Sequence, residues 1–191
     1  PTSSIEPATI TAPAGRVVTL NTASLPSLPN GRYGILVATV DFSNASGEID
    51  DSGDIVVEQV INRGDGMTAG TSVVLGVPGL AASTTWVAPS GATGGLEGAF
   101  VVLNTTADPA VISVQSVGPA GTVALSGLDS IVLPGSGLVT ITLPVGLPIG
   151  EIILRATSPI IVERLLTRGH DLIGRSAVMA LPLVPSPVTV S

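Results

Sequence analysis

The sequence predicts an all-β protein, and three observations carry that expectation. Gly (23) and Pro (16) are spread along the whole length and punctuate short apolar, β-branched runs. Alternation of apolar and polar residues is clean in Val111-Ile112-Ser113-Val114-Gln115-Ser116-Val117 and in Val139-Thr140-Ile141-Thr142-Leu143, the pattern of strands with one wet face. No window carries a capped apolar stripe at the 3.6-residue helical period. Short strands bounded by turn residues at regular spacing are the signature of a sandwich or barrel.

Taken in order, the expected strands are residues 16–20, 34–40, 55–61, 72–75, 99–103, 110–117, 130–133, 138–143, 151–157, 160–166 and 177–181. Each is an apolar or alternating run closed by Gly, Pro, Asn, Asp or Ser, the residues that favour turns for distinct backbone reasons. With two Phe, one Trp and one Tyr, the core must be built from Val, Ile, Leu and Ala.

Composition excludes several classes of function. The 191 residues carry 7 cations, all Arg, against 14 Asp and Glu, for a net charge of −7. An acidic chain with four aromatic residues lacks the basic face and stacking rings that nucleic acids require, so no nucleic-acid partner is expected. No Cys and a single His remove thiolate chemistry, disulfides and most zinc or copper sites. Charged residues are only 11% of the chain and mean hydropathy is +0.62, the opposite of a disordered composition. The longest charge-free stretch, residues 66–96, is broken by Gly70, Gly76, Pro78, Gly79 and Pro89, so no membrane-spanning helix is expected there. Pro1 in place of Met reads as a processed or excised start.

Self-comparison reveals an internal repeat in three blocks. Residues 10–20 (ITAPAGRVVTL) match residues 131–141 (IVLPGSGLVTI) at an offset of 121. Residues 35–39 (ILVAT) match residues 153–157 (ILRAT) at an offset of 118. Residues 55–64 (IVVEQVINRG) match residues 160–169 (IIVERLLTRG) at an offset of 105. Order is kept throughout, which points to duplication of one supersecondary unit. The falling offset places 13 extra residues of the first copy between Thr39 and Ile55, within the acidic insertion 41–54. The second copy has strands between about Trp86 and Val117 with no counterpart before Ile10. The expected organisation is therefore tandem immunoglobulin-like β-sandwich modules: residues 1–80 form a partial repeat, incomplete or strand-exchanged, and residues 81–191 form a full one.

The motifs resemble a known family. Trp86-Val87-Ala88-Pro89-Ser90-Gly91, an apolar strand ending in Asn104, an alternating strand, a Pro-Ala-Gly or Pro-Gly turn, and Ile-Val-Val-Glu or Ile-Ile-Val-Glu-Arg follow in sequence. This order is similar to the repeated module of secreted actinobacterial proteins catalogued as domain of unknown function 5719. Val87 and Thr105 stand where that pattern carries an aromatic residue and a proline. The resemblance spans about one and a half modules, and it implies export, an envelope setting and no known catalytic residues.

Candidate chemistry is sparse. Asp41, Glu48, Asp50, Asp51 and Asp54 in the insertion offer hard oxygen ligands for calcium, without the spacing of an EF-hand. The other reading of that run is a solvated hairpin tip, the commoner fate of clustered charge. Asp51-Ser52-Gly53 spells the aspartic-protease tripeptide but has no second copy to share its proton. His170 would have to serve any catalytic triad, and no Gly-x-Ser-x-Gly elbow accompanies it. Arg63-Gly64-Asp65 reads as an adhesive tripeptide, yet its repeat equivalent is Arg168-Gly169-His170, so the shared features are a turn glycine and an Arg. Glu58 and Glu163 recur within apolar strands, where an acid is expensive unless paired. Arg63 and Arg168 (or Arg164) are their expected structural ion-pair partners. Trp86 and Tyr33 are candidate glycan or partner contacts, with a core anchor as the alternative for a lone Trp. Asn44-Ala45-Ser46 and Asn104-Thr105-Thr106 match the glycosylation sequon.

The sequence thus leads to the expectation of a non-catalytic, exported structural or interaction module of a bacterial cell-envelope protein. A charge-poor surface favours a protein partner or self-association, with cell-wall glycan as a further partner. The alternative is a ligand-binding module, using calcium at the acidic insertion or glycan around Trp86. No other cofactor is expected.

Overall fold

The computed structural model describes residues 7–25, 27–28, 31–39, 55–64, 69–90, 96–147, 150–168 and 174–183. Among them are eleven strands: β1 (Glu58–Arg63), β2 (Gly70–Leu75), β3 (Ser83–Pro89), β4 (Leu96–Asn104), β5 (Ala110–Gly118), β6 (Gly121–Ala124), β7 (Ile131–Leu133), β8 (Leu138–Thr142), β9 (Glu151–Arg168), β10 (Arg175–Met179) and β11 (Leu181–Pro182). Two 3₁₀ turns, Thr22–Ser24 and Gly79–Ala81, are the helical content of the described residues. The chain is all-β, as its punctuation implies.

Two compact units divide the chain, Pro1–Val56 and Val57–Ser191, so the β1–β2 hairpin lies in the second unit, although the expected first module ran to residue 80. In the first unit, residues 16–20 and 34–39 join no strand ladder among the described residues. A strand exists by pairing, and in the second unit the matching residues pair with β3, β4 and β5.

The second unit is sandwich-like, and β9 belongs to both layers. Its first half pairs with β3 on one side and β5 on the other, placing Leu154 between Trp86 and Val114. Its second half pairs with β4 along Ile160–Arg168 and with β10 along Glu163–Thr167. β6 and β7 extend the first layer from β5, and β8 extends the second from β4. The sequence splits β9 at Ser158-Pro159, since proline has no N–H for a ladder. The chain instead runs through: opposite β3, residues 156–159 of β9 bulge past Thr84, between the pairs Thr85–Arg155 and Ser83–Ile160. Pro159 falls at this corner, where no donor is needed and a strand can change layers.

Alternation along the strands builds the core. Trp86 and Ala88, Ile112 and Val114, and Ile152 and Leu154 point inward from the first layer. Phe100 and Val102, Ile141, and Ile160 and Val162 meet them from the second. At the β5–β6 hairpin, Gly118 pairs with Gly121 across the Pro119-Ala120 turn, and Gly121, which follows the turn, has a positive φ of 103°.

Local geometry recurs at the repeated positions. Arg16 N donates to Pro13 O at 3.1 Å, and Gly137 N donates to Pro134 O at 3.0 Å. The third residue of each turn has positive φ, Gly15 at 67° and Ser136 at 51°. The β1–β2 and β9–β10 hairpins share a register, with Glu58 opposite Leu75 and Glu163 opposite Met179. Just beyond each ladder, Gly76 N donates to Val57 O (2.7 Å) and Ala180 N donates to Val162 O (3.0 Å).

Candidate functional site

Trp86 stands in the core of the second unit rather than on its surface. It is 0% exposed. Its indole N–H donates to the carbonyls of Ile160 (2.9 Å) and Ser83 (3.0 Å), which fixes the ring across the corner of β9. A ring enclosed in this way offers no face to a sugar, so Trp86 takes the core role and not the glycan contact. Tyr33 is half-buried and belongs to the first unit.

The expected ion pairs do not form within each copy. Glu58 and Arg63 occupy the two ends of β1 and are exposed. Strand geometry sets residues five apart at roughly 17 Å and on opposite faces. Glu163 and Arg168 have the same spacing within β9, so neither Glu meets its own copy's Arg. Glu163 is half-buried, while Glu58 lies in the open.

The buried cation is Arg164, which the sequence offers only as an alternative partner. It is 6% exposed and lies on the inward face of β9, after Ile160 and Val162. Its Nη2 donates to the Ser90 carbonyl at 3.1 Å, joining the second layer to the end of β3 in the first. Ser90 is itself tied to Gly150: Ser90 N donates to Gly150 O (2.8 Å) and Gly150 N donates to Ser90 Oγ (2.9 Å). Arg164 Nε is buried without a hydrogen-bond partner. Desolvation by burial lowers the Arg164 pKa from its ordinary value.

Asn104 is a second buried polar group, and it uses its whole amide. Nδ2 donates to the carbonyls of Asp108 (2.8 Å) and Pro134 (3.1 Å). Oδ1 accepts from Thr106 N (3.0 Å) and Thr106 Oγ1 (2.8 Å). The sequon Asn104-Thr105-Thr106 is therefore a loop clamp, with no amide left free for a glycan. The clamped loop presses on the turn after β7, where a Cβ on Gly135 would collide with the Ala107 carbonyl. The equivalent residue of the first copy is Ala14, and the loop it would meet has no counterpart there.

Two surface depressions lie along the hairpins of the second unit. One, of about 270 Å³, is apolar and lies between Val73–Leu75 of β2 and Ala177–Met179 of β10. The other, of about 300 Å³, includes Gly70, Leu96, Leu166, Arg168, Gly174 and Arg175. The two strands thus run side by side in the same direction, joined by Ser72 Oγ donating to Arg175 O at 3.2 Å.

Asp41, Glu48, Asp50, Asp51 and Asp54 lie outside the described residues, as do Asn44 and His170. Among the described residues, no three His, Cys, Asp or Glu side chains come together as a metal site. None of the helices among them is long and apolar enough to cross a membrane.

No protein-family model and no curated protein sequence matches the chain. Among solved structures, it is similar to the crystal structure of Thermotoga maritima 1070, with a TM-score of 0.46 and 12% identity, covering 53% of this chain and 96% of that one.

Proposed function

We propose that the chain is a non-catalytic structural or interaction module of a bacterial cell envelope, exported and built from tandem immunoglobulin-like repeats of which the first is incomplete. One observation carries this reading: large apolar side chains stand open to solvent, Val17 at 96% and Val56 at 88% exposure in the first unit and Val145 at 87% in the second. Open apolar side chains of this kind are available for contact with another macromolecule. The recurrence of the turns and hairpins supports the tandem arrangement. The resemblance to secreted actinobacterial modules supports the envelope setting. The partner is a protein or a second copy of the chain, with cell-wall glycan as a further contact.

Co-sedimentation with purified actinobacterial envelopes tests it. The chain pellets with envelopes, and the binding survives high salt because the contact is apolar. Turnover of an envelope polymer by the purified chain, or a monomer that stays in the supernatant, overturns the reading.

A further inference from the structure

The two copies treat the same residues in opposite ways. Leu154 is 0% exposed because β3 and β5 flank it, whereas its repeat equivalent Leu36 is 73% exposed. Ile160 is 0% exposed and its equivalent Ile55 is 46%. Ile141 is buried and its equivalent Leu20 is not. Around these positions the two sequences are nearly the same: residues 35–39 and 153–157 differ only at Val37 and Arg155. What differs is the presence of the flanking strands. Among the described residues, 34–38 pair with no strand, although an extended apolar segment with open N–H and C=O groups is a template for pairing.

We propose that the first unit is a strand acceptor, and that residues 34–38 capture an extended strand of the β5 type from another module of this repeat. The inference rests on the tandem reading above. The second copy specifies the chemistry of the occupant. Opposite Ile153, Leu154, Arg155 and Ala156, β5 places Gln115, Val114, Ser113 and Ile112. The captured strand is thus uncharged, alternates β-branched residues with Ser or Gln, and runs antiparallel to the acceptor. Val114 and Ile112 of the occupant lie opposite Leu36 and Ala38, and Ser113 lies opposite Val37. Ladder hydrogen bonds supply affinity and the alternate side chains supply register, as in other strand additions.

The probe is a synthetic peptide of residues 109–118, titrated into the full chain and followed by fluorescence anisotropy and by hydrogen exchange. Saturable one-to-one binding is expected, with new amide protection confined to residues 34–38. Leu36→Asp weakens it at least tenfold; the residue is exposed, so the change leaves the fold intact. Val132→Asp, at a residue 65% exposed on the second unit, leaves binding unchanged. No binding, equal binding of a scrambled peptide, or protection only at residues 151–157 overturns the proposal. If the hairpins at residues 57–76 and 162–180 share a register in solution while the peptide fails, capture alone is wrong. If the hairpins differ in register, the tandem reading beneath it is wrong.

Discussion

Gly70 and Gly174 open the second strand of two different hairpins, and they hold nearly the same backbone angle, φ of 137° and 146°. Each faces the Arg that ends the preceding strand: Gly70 pairs with Arg63, and Gly174 O accepts from Arg168 N at 3.0 Å. The match holds although the second loop is one residue shorter. L-residues rarely adopt this conformation, so Gly is required at both places. Gly70→Ala and Gly174→Ala each lower stability by about 1–3 kcal/mol through backbone strain, since neither new methyl meets a close contact. Urea midpoints check this, and near-neutral behaviour at either position removes the equivalence.

Trp86 is the sole Trp and the ring that both layers pack against. Trp86→Ala lowers stability by about 3–5 kcal/mol, the range for an aromatic removed from a core. Native emission is blue-shifted and resists iodide quenching, and both properties are lost on unfolding. A red-shifted, readily quenched native spectrum contradicts the burial.

Asn104 and Gly135 act on one loop from two sides. Asn104→Ala leaves the Asp108 and Pro134 carbonyls and the Thr106 amide without the partner they have here, and lowers stability by roughly 2–4 kcal/mol. Gly135→Ala is destabilising because it meets a backbone carbonyl, whereas Ala14→Gly at the equivalent place changes stability by less than about 1 kcal/mol. Thermal unfolding of the three variants checks the contrast.

Arg164 combines a buried charge with a single described hydrogen bond and a buried Nε that has none. Burial of such a group costs more than the bond returns, so Arg164→Met is neutral or stabilising by about 1–4 kcal/mol. The pH dependence follows from the lowered pKa. The unfolded chain holds the Arg164 proton more tightly than the folded one, so the penalty is present below the folded pKa and fades only as pH rises towards the unfolded value. Across pH 5–9 Arg164 therefore contributes no slope, and chemical denaturation of the two proteins differs by a constant offset.

Much of the architecture was legible in the sequence. Alternation at residues 110–117 and 138–143 located β5 and β8, because one face of each is wet. The repeat of residues 55–64 in 160–169 marks the first strand of each hairpin, and the shared register of the second strands comes from the structure. The runs 16–20 and 34–40 carry the apolar pattern of strands, but strand formation also needs a neighbour that pattern cannot supply. Pro159 divides β9 in the sequence, because pattern alone does not show where a ladder ends and a layer changes. β6 is too short to carry a pattern, and β3 is a Ser-Thr-rich run bracketed by Pro78, Gly79 and Pro89. Of the candidate sites, Trp86 proved a core residue. Asn104 and Arg164 carried no local signal of burial, since each depends on strands far away in the chain.

The acidic insertion keeps both its sequence readings. In the sequence, the 13 added residues fall where the second copy has Ser158-Pro159, and they lie outside the described residues. Melting in saturating calcium and in EDTA separates the two, since a ligand that binds only the folded state raises its melting temperature. A solvated tip gives equal midpoints, and a shift of several degrees assigns the ion.

Cross-strand nuclear Overhauser effects in the isotope-labelled full chain address duplication itself. The account predicts one register in both hairpins: Glu58 opposite Leu75 and Gly76 N bonded to Val57 O, then Glu163 opposite Met179 and Ala180 N bonded to Val162 O. A slip of a single residue in either hairpin would turn its side chains to the other face, and with it the claim that one β unit was copied would fail.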